Sequence, residues 1–514
     1  MPSGLNELRD CVNKVRIHKA RDAFVASIDE EEVCSLASSY RDGGSRCQPF
    51  QEPIRGSFNI CFFVKFDDDN QKWVVRIPLA PCLAFGAKSK LESEIATMLV
   101  ISERTSIPIP RIVAYRLDDD SSPLSSFLIL EYVEGRKLSY QDVFNLTDAH
   151  RDNLYRSLAP IYIQLRRLEF PSVGCLRCHE DGPMVSKMNT SIDINMQELD
   201  GFGPSAIQTS YYGSSGVLAS AGAYTSMLLQ LADNAFAKNP SSVANNEEEG
   251  AESLYYLNTF RQFAEQWVDP RFERGPFVLV HGDLEPFNLL VDDELKIVCV
   301  LDWEWSRIVP LQFFKPPLWF ANPDTSNLAY RFMYDSYLSK FDTFLSIVRT
   351  QEKERYGNEN LSNEWAEAKA DSGFLVADAL ENWTAIDWFA FRYIDRKWYR
   401  KKHLKERVQM FMDEDPTRKI FIAKKLQEGI SYNAAIETLK KTVEHDVDVE
   451  ANSASQPESS ILGNRFLRAM TLSVAKFADW QTVLGGGVFL ILGVSYLFGH
   501  RFLRPTLTCK VGSR

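Results

Sequence analysis

The sequence predicts an α+β chain, in which a small β-rich part leads into a larger, mainly helical part with a helical extension after it. Three observations carry this. Between Ile60 and Tyr132, short runs rich in Phe, Val and Ile are separated by turn residues, the pattern of strands. From 326 to 445, apolar residues recur at helical spacing among many charges. Between these regions His281-Gly282-Asp283-Leu284-Glu285-Pro286-Phe287-Asn288 lies between two apolar runs, Phe277–Val280 and Leu289–Val291. A further run, Ile297–Leu301, ends on Asp302-Trp303-Glu304.

Taken in order, residues 1–50 open with a helix, Leu5–Ile28, and a polar stretch containing Gly43-Gly44, together an N-terminal extension. After Arg55-Gly56-Ser57-Phe58-Asn59, Ile60–Phe66 and Lys72–Leu79 flank Asp67-Asp68-Asp69-Asn70 and read as a hairpin. Lys88 to Arg104 is helical, with Leu91, Ile95, Met98 and Leu99 at helical spacing, and Pro108 and Pro110 stop it. Ile112–Arg116 and Phe127–Tyr132 complete the β-rich part, and Leu154–Leu168 opens the helical one. From Pro171 to Gly250 the chain is rich in Gly, Ser and Asn, with a helix at Ala221–Ala237 and a solvated acidic loop at Glu247-Glu248-Glu249. Leu404–Met412 and Phe421–Leu439 are helical, and Ala451–Ser460 is a linker.

A chain of 514 residues can bury a large core and divides into two or more folded units. Its net charge of −11 argues against broad nucleic-acid binding, which needs clustered Lys and Arg against phosphates. Nine cysteines are scattered along it, and Met1–Arg21 is polar, so a reducing compartment is expected. Cys175-Leu176-Arg177-Cys178-His179 spells a haem attachment pattern. That chemistry needs an oxidising export route which nothing else in the sequence supports, so these thiols read as ordinary. From Trp480 to Gly499 there is no charged residue over twenty positions, enough for a helix of about 30 Å that could cross a membrane. Arg465, Arg468 and Lys476 precede it and Arg501, Arg504, Lys510 and Arg514 follow it, so charge does not set its orientation. A single span this near the C-terminus would make a tail anchor with the rest of the chain on the cytoplasmic side, and a buried or interfacial helix is the alternative.

The polar residues of the central motif fall on tight loops at strand ends, where a rigid scaffold presents them together. One carboxylate, one carboxamide and a second carboxylate suit magnesium, which takes one or two carboxylates together with substrate phosphates. Asp283 and Asn288 stand at the His-x-Asp-x-x-x-x-Asn spacing of phosphotransfer sites, and Asp302 follows fourteen residues after Asn288.

At these residues the chain resembles the aminoglycoside phosphotransferase family, through His-Gly-Asp-Leu-x-x-x-Asn and Leu-Asp-Trp-Glu, and more weakly from Arg55 to Pro323. The resemblance implies a bilobal protein-kinase-like fold, with an N-lobe over 51–134 and a C-lobe over 135–325. A helical extension over 326–445, a linker over 446–460 and the basic and apolar stretch 461–514 would follow. It implies ATP- and magnesium-dependent transfer to a hydroxyl of a small molecule, with Asp283 as catalytic base and Asn288 and Asp302 as metal ligands. Gly56 would lie in the loop over the nucleotide, and Glu131 and Val133 at the hinge that holds adenine. Arg76 stands where most kinase-like folds carry lysine, with Glu94 as its ion-pair partner; its planar fork makes this no silent exchange. Another reading is a non-catalytic nucleotide-binding scaffold at a membrane. Protein phosphorylation is disfavoured, because Asp-Trp-Glu replaces Asp-Phe-Gly and no Ala-Pro-Glu segment follows.

Overall fold

In the computed structural model, residues 10–118, 122–180, 182–186, 191–243, 246–321, 325–382, 386–395 and 403–453 are described. Helix α1 (Cys11–Ala26) starts at Asp10, whose carboxylate accepts the Val12 and Asn13 N–H groups at 3.0 Å. Helix α2 (Glu30–Ser39) carries three glutamates in its first turn, where the helix dipole favours negative charge. Strand β1 (Cys47–Arg55) contains Pro49 and Pro53, neither of which can donate to a ladder. It accordingly sits at the edge of a five-stranded antiparallel sheet ordered β1-β2-β3-β5-β4. The others are β2 (Asn59–Phe66), β3 (Lys72–Pro78), β4 (Ile112–Arg116) and β5 (Phe127–Glu131). Sequence reading missed α2 and β1.

Alternation along the strands gives the sheet two unlike faces. Ile60, Phe62, Val64, Val75, Ile77 and Ile129 form one core with Ile17, Val33 and Ala37, so α1 and α2 cover that face. Cys61 pairs across strands with Arg76, and Phe63 with Val74, so these four share the opposite face. Helix α3 (Ala87–Arg104) joins β3 to β4. Its Leu91, Ile95, Met98 and Ile101 are buried in the second, larger core with the helical lobe.

The C-lobe begins with β6 (Arg136–Lys137), α4 (Tyr140–Phe144) and α5 (Asp148–Arg166). After β7 (Glu169–Phe170) come β8 (Cys175–Arg177) and β9 (Met184–Ser186), then α6 (Ile192–Leu199), α7 (Pro204–Tyr212), α8 (Ala221–Lys238) and α9 (Glu247–Trp267). The Gly-, Ser- and Asn-rich region thus holds the expected helix as α8 and adds α6 and α7 before it. The acidic run at Glu247-Glu248-Glu249 is a correction: it is the first turn of α9, capped by the Asn246 side chain on Glu249 N–H at 2.9 Å. Arg177 reaches back to α3, bonding Ser89 Oγ at 2.5 Å and Glu92 at 3.1 Å, which ties the lobes together.

Two small sheets then frame the central motif. Strand β10 (Phe277–Val280) lies between β13 (Arg307–Pro310) and β7, while β11 (Leu289–Val291) lies between β12 (Ile297–Val300) and β6. The motif fills the β10–β11 connection, and Asp302 follows β12. Helix Arg331–Tyr356 packs on α5, with the Tyr155 and Phe344 rings 5.4 Å apart. Among the described residues no helix is long and apolar enough to cross a membrane. The expected span 480–499 lies outside the described residues.

Candidate active site

Gly282 has φ +84°, and a Cβ there would meet the Trp305 carbonyl oxygen at 2.0 Å. Only glycine lets the loop after β10 pass so close to the turn after β12. Gly282→Ala should therefore lower stability by roughly 1–3 kcal/mol or more, read as the midpoint of urea unfolding. An unchanged midpoint would contradict this packing.

His281 is buried between these segments. Its Nε2 lies 2.8 Å from the Leu301 carbonyl, and its Nδ1 accepts the Asp283 N–H at 3.3 Å. Burial pushes the imidazole down to about 4, so the ring is neutral with its proton on Nε2. Through these two hydrogen bonds it braces the loop.

Asn288, at the end of the loop, donates its side-chain N–H groups to the Asp283 carbonyl at 2.7 Å and the Asp283 carboxyl at 3.1 Å. Among the described residues none donates a hydrogen bond to its Oδ1. Burial holds the Asp283 carboxyl well above its ordinary range, and the charges of Glu285, Asp302 and Glu304 push the same way. Three other acidic groups thus act on Asp283. Glu285, whose role the sequence left open, accepts the Tyr140 hydroxyl at 2.5 Å and is raised to about 7 by burial.

Across the lobe junction, the cleft face of the sheet delivers Arg76. Its guanidinium bonds Glu94 of α3 and Asp302, and reaches Glu304 at 2.8 Å. Asp302 has φ +68°, a left-handed conformation that aspartate tolerates better than most residues. Desolvation works to raise its carboxyl, but Arg76 and then Lys90 hold it below the ordinary value. Arg76 and Glu94 are 6% and 1% exposed, so this is a buried pair, unlike the loosely held ion pairs of a protein surface. Burial raises Glu94 to about 7 against the pull of Arg76.

Three members of this network were not picked out from sequence. Glu304 accepts Asn59 Nδ2 at 2.6 Å and contacts Lys90, while Lys90 Nζ donates to Asn59 Oδ1 at 3.0 Å. The signal for Lys90 was its place one helical turn before Glu94. Gly56 lies in the turn that leads to Asn59, and its N–H bonds the Asn59 carbonyl at 2.8 Å. Phe58 in the same turn packs its ring 4.8 Å from Trp305. The turn is thereby fastened to the Asp-Trp-Glu segment.

Glu131 closes β5 and turns its side chain away from this network, to Arg111 at 2.5 Å. Val133 stands in the link to β6, beside Gly135, where a Cβ would come within 3.1 Å of Val298. The structure therefore brings Arg76, Glu94 and Asp302 into direct contact and joins Asp283 to Asn288. Gly56 is held to the Asp302 segment through Asn59, and Glu131 and Val133 lie at the lobe connection.

Residues 62–313, which contain all of these groups except the Gly56 turn, match the model of the phosphotransferase enzyme family. That segment belongs to the family. The phosphotransferase segment begins at Phe62 within β2 and ends at Phe313, just beyond β13, so it takes in both sides of the cleft. The chain is 22% identical over 304 residues to a subtelomeric hrmA-associated cluster protein of Aspergillus fumigatus, covering 51% of this chain and 58% of that protein. It is 26% identical over 113 residues to altered inheritance of mitochondria protein 9 of Candida dubliniensis, 21% of this chain and 18% of that one. The chain thus spans a little over half of the first relative and a fifth of the second. Among solved structures, it is similar to the GDP complex of an aminoglycoside 2'-phosphotransferase (17% identity, 69% of this chain, 98% of that one, TM-score 0.36). A macrolide 2'-phosphotransferase type I gives 15% identity, 72% and 98% coverage and a TM-score of 0.34. At these scores neither likeness bears on what this chain does.

Proposed function

We propose that this chain transfers the γ-phosphoryl group of ATP, in the presence of magnesium, to a hydroxyl group of a small molecule. The observation that carries the reading is that Asn288 is bonded to Asp283 on one loop, while Asp302 on a second loop acts electrostatically on Asp283 and pairs with an arginine of the opposite lobe, inside a phosphotransferase-family segment. The donor set fits magnesium. Asn288 offers an Oδ1 that no donor among the described residues occupies, and the charges of Glu285, Asp302 and Glu304 bear on Asp283. Asn288 and Asp302 would hold the ion, which supplies positive charge against the phosphates as charge builds in transfer.

Asp283 is the group that orients the acceptor hydroxyl and takes its proton as the oxygen–phosphorus bond forms and the bond to the leaving diphosphate breaks. A carboxyl raised by burial and like charges is a stronger base than a solvated one, which suits that task. Arg76 is placed to bind phosphate oxygens once a nucleotide competes for it with Asp302, and Glu94 anchors it from behind. Backbone groups of Glu131 and Val133 would meet the adenine, under the Gly56 turn.

One observation favours a second reading, a nucleotide-binding scaffold without turnover: Arg76 engages the carboxylate on which the metal depends. The two readings part on a single assay. Full-length protein given Mg-ATP and a panel of hydroxylated metabolites should yield a phosphorylated product with at least one. Mg-ATP binding without transfer to any member, and without ATP consumption, would favour the scaffold.

A further inference from the structure

On the far side of the sheet from the cleft, α2 and the start of β1 bring two thiols together. The Cys47 thiol donates to the backbone carbonyl of Cys34 at 3.3 Å and receives the Ser38 hydroxyl at 3.5 Å. Both cysteines are free and partly exposed. Burial pushes the Cys34 thiol up to about 12, and Cys47 adds to the shift by its charge and a hydrogen bond between the two side chains. Both belong to the apolar layer between α1, α2 and the sheet, so each is held by its own element.

We propose that Cys34 and Cys47 form a reversible disulfide, a modification site that staples helix α2 to the first residue of β1. Hydrogen peroxide is the oxidant considered. The Cys47 sulfur attacks one peroxide oxygen, the oxygen–oxygen bond breaks, water leaves, and Cys47 becomes a sulfenic acid. The Cys34 sulfur then attacks the sulfenic sulfur, gives up its proton, and a second water leaves as the sulfur–sulfur bond forms. Two thiols lose two electrons in all, and one peroxide becomes two waters. In a reducing compartment such a bond is transient and reports oxidant; it would constrain the unfolded chain and so raise N-lobe stability while present. The proposal stands apart from phosphotransfer, and either can fail without the other.

The test uses the full-length chain, exposed to hydrogen peroxide, unfolded with N-ethylmaleimide and analysed by intact mass and peptide mapping. The expected result is loss of two of the nine alkylatable thiols, a linked pair of peptides containing Cys34 and Cys47, and full reversal by dithiothreitol. The melting temperature should rise on oxidation and fall back on reduction. In Cys47→Ser, Cys34 should remain open to alkylation after the same treatment. Cys34 and Cys47 both alkylated after oxidation, or either linked to a different cysteine, would overturn the proposal.

Discussion

Asp283→Asn should lower kcat by roughly 10²–10⁴-fold, the range expected when a positioned general base is removed. Each tenfold is about 1.4 kcal/mol of barrier, so the loss is about 3–5 kcal/mol. Asparagine keeps the size of the side chain and can still meet the Asn288 amide, which bonds the Asp283 main-chain carbonyl as well. The loop should therefore hold its shape, leaving Mg-ATP affinity and melting temperature close to wild type. That split between turnover and binding assigns the carboxyl to the transition state rather than to nucleotide contact. Equal turnover in the two proteins would remove Asp283 from the mechanism. A parallel fall in nucleotide affinity would make it a binding residue.

Glu304→Ala should be the most destabilising single change in the cleft. The glutamate is 3% exposed and serves three partners at once, Arg76, Lys90 and Asn59. Truncating it removes the carboxylate that Lys90 contacts directly, leaving that ammonium buried beside the rings of Phe58 and Trp305 with a hydrogen bond to the Asn59 side-chain Oδ1. Breaking a buried ion pair from one side costs about 3–5 kcal/mol, a large share of the 5–15 kcal/mol that holds a typical domain together. Replacing both sides at once, Glu304→Leu with Lys90→Met, should recover much of that loss, because no charge is then stranded. Thermal melts of the single and double variants give the comparison. A single variant that melts with wild type would mean that the network is solvated and weak.

The parts of this architecture that could be read from sequence are those whose signal is local. Strands β2 and β3 announce themselves by alternation around an aspartate-rich turn, and α3 by its apolar spacing and the prolines after it. Asp283, Asn288 and Asp302 could be found because five and fourteen residues separate them and the strands between are short. Strand β1 was hidden by its own prolines, which an edge strand tolerates but a pattern search penalises. Helix α9 was hidden by reading three glutamates as solvated charge, although Asn246 before them is a helix cap in plain view. The Asn59–Glu304 bond joins residues 245 apart, and nothing in the composition of either segment announces it. The Cys34–Cys47 contact is close in sequence, yet it became visible only once α2 and β1 were known to pack together.

Thermal stability of the full-length chain with ATP, with and without magnesium, beside Asp302→Asn, tests the phosphotransfer site most directly. ATP near a hundred times its dissociation constant should stabilise the wild type by about 2.7 kcal/mol when magnesium is present. The gain should shrink without the metal and be lost in the variant, since asparagine cannot supply the charge that a divalent ion requires. An equal shift with and without magnesium, or one that survives Asp302→Asn, would contradict the metal site. No shift at all would mean that the site around Arg76 and Asp302 does not hold a nucleotide.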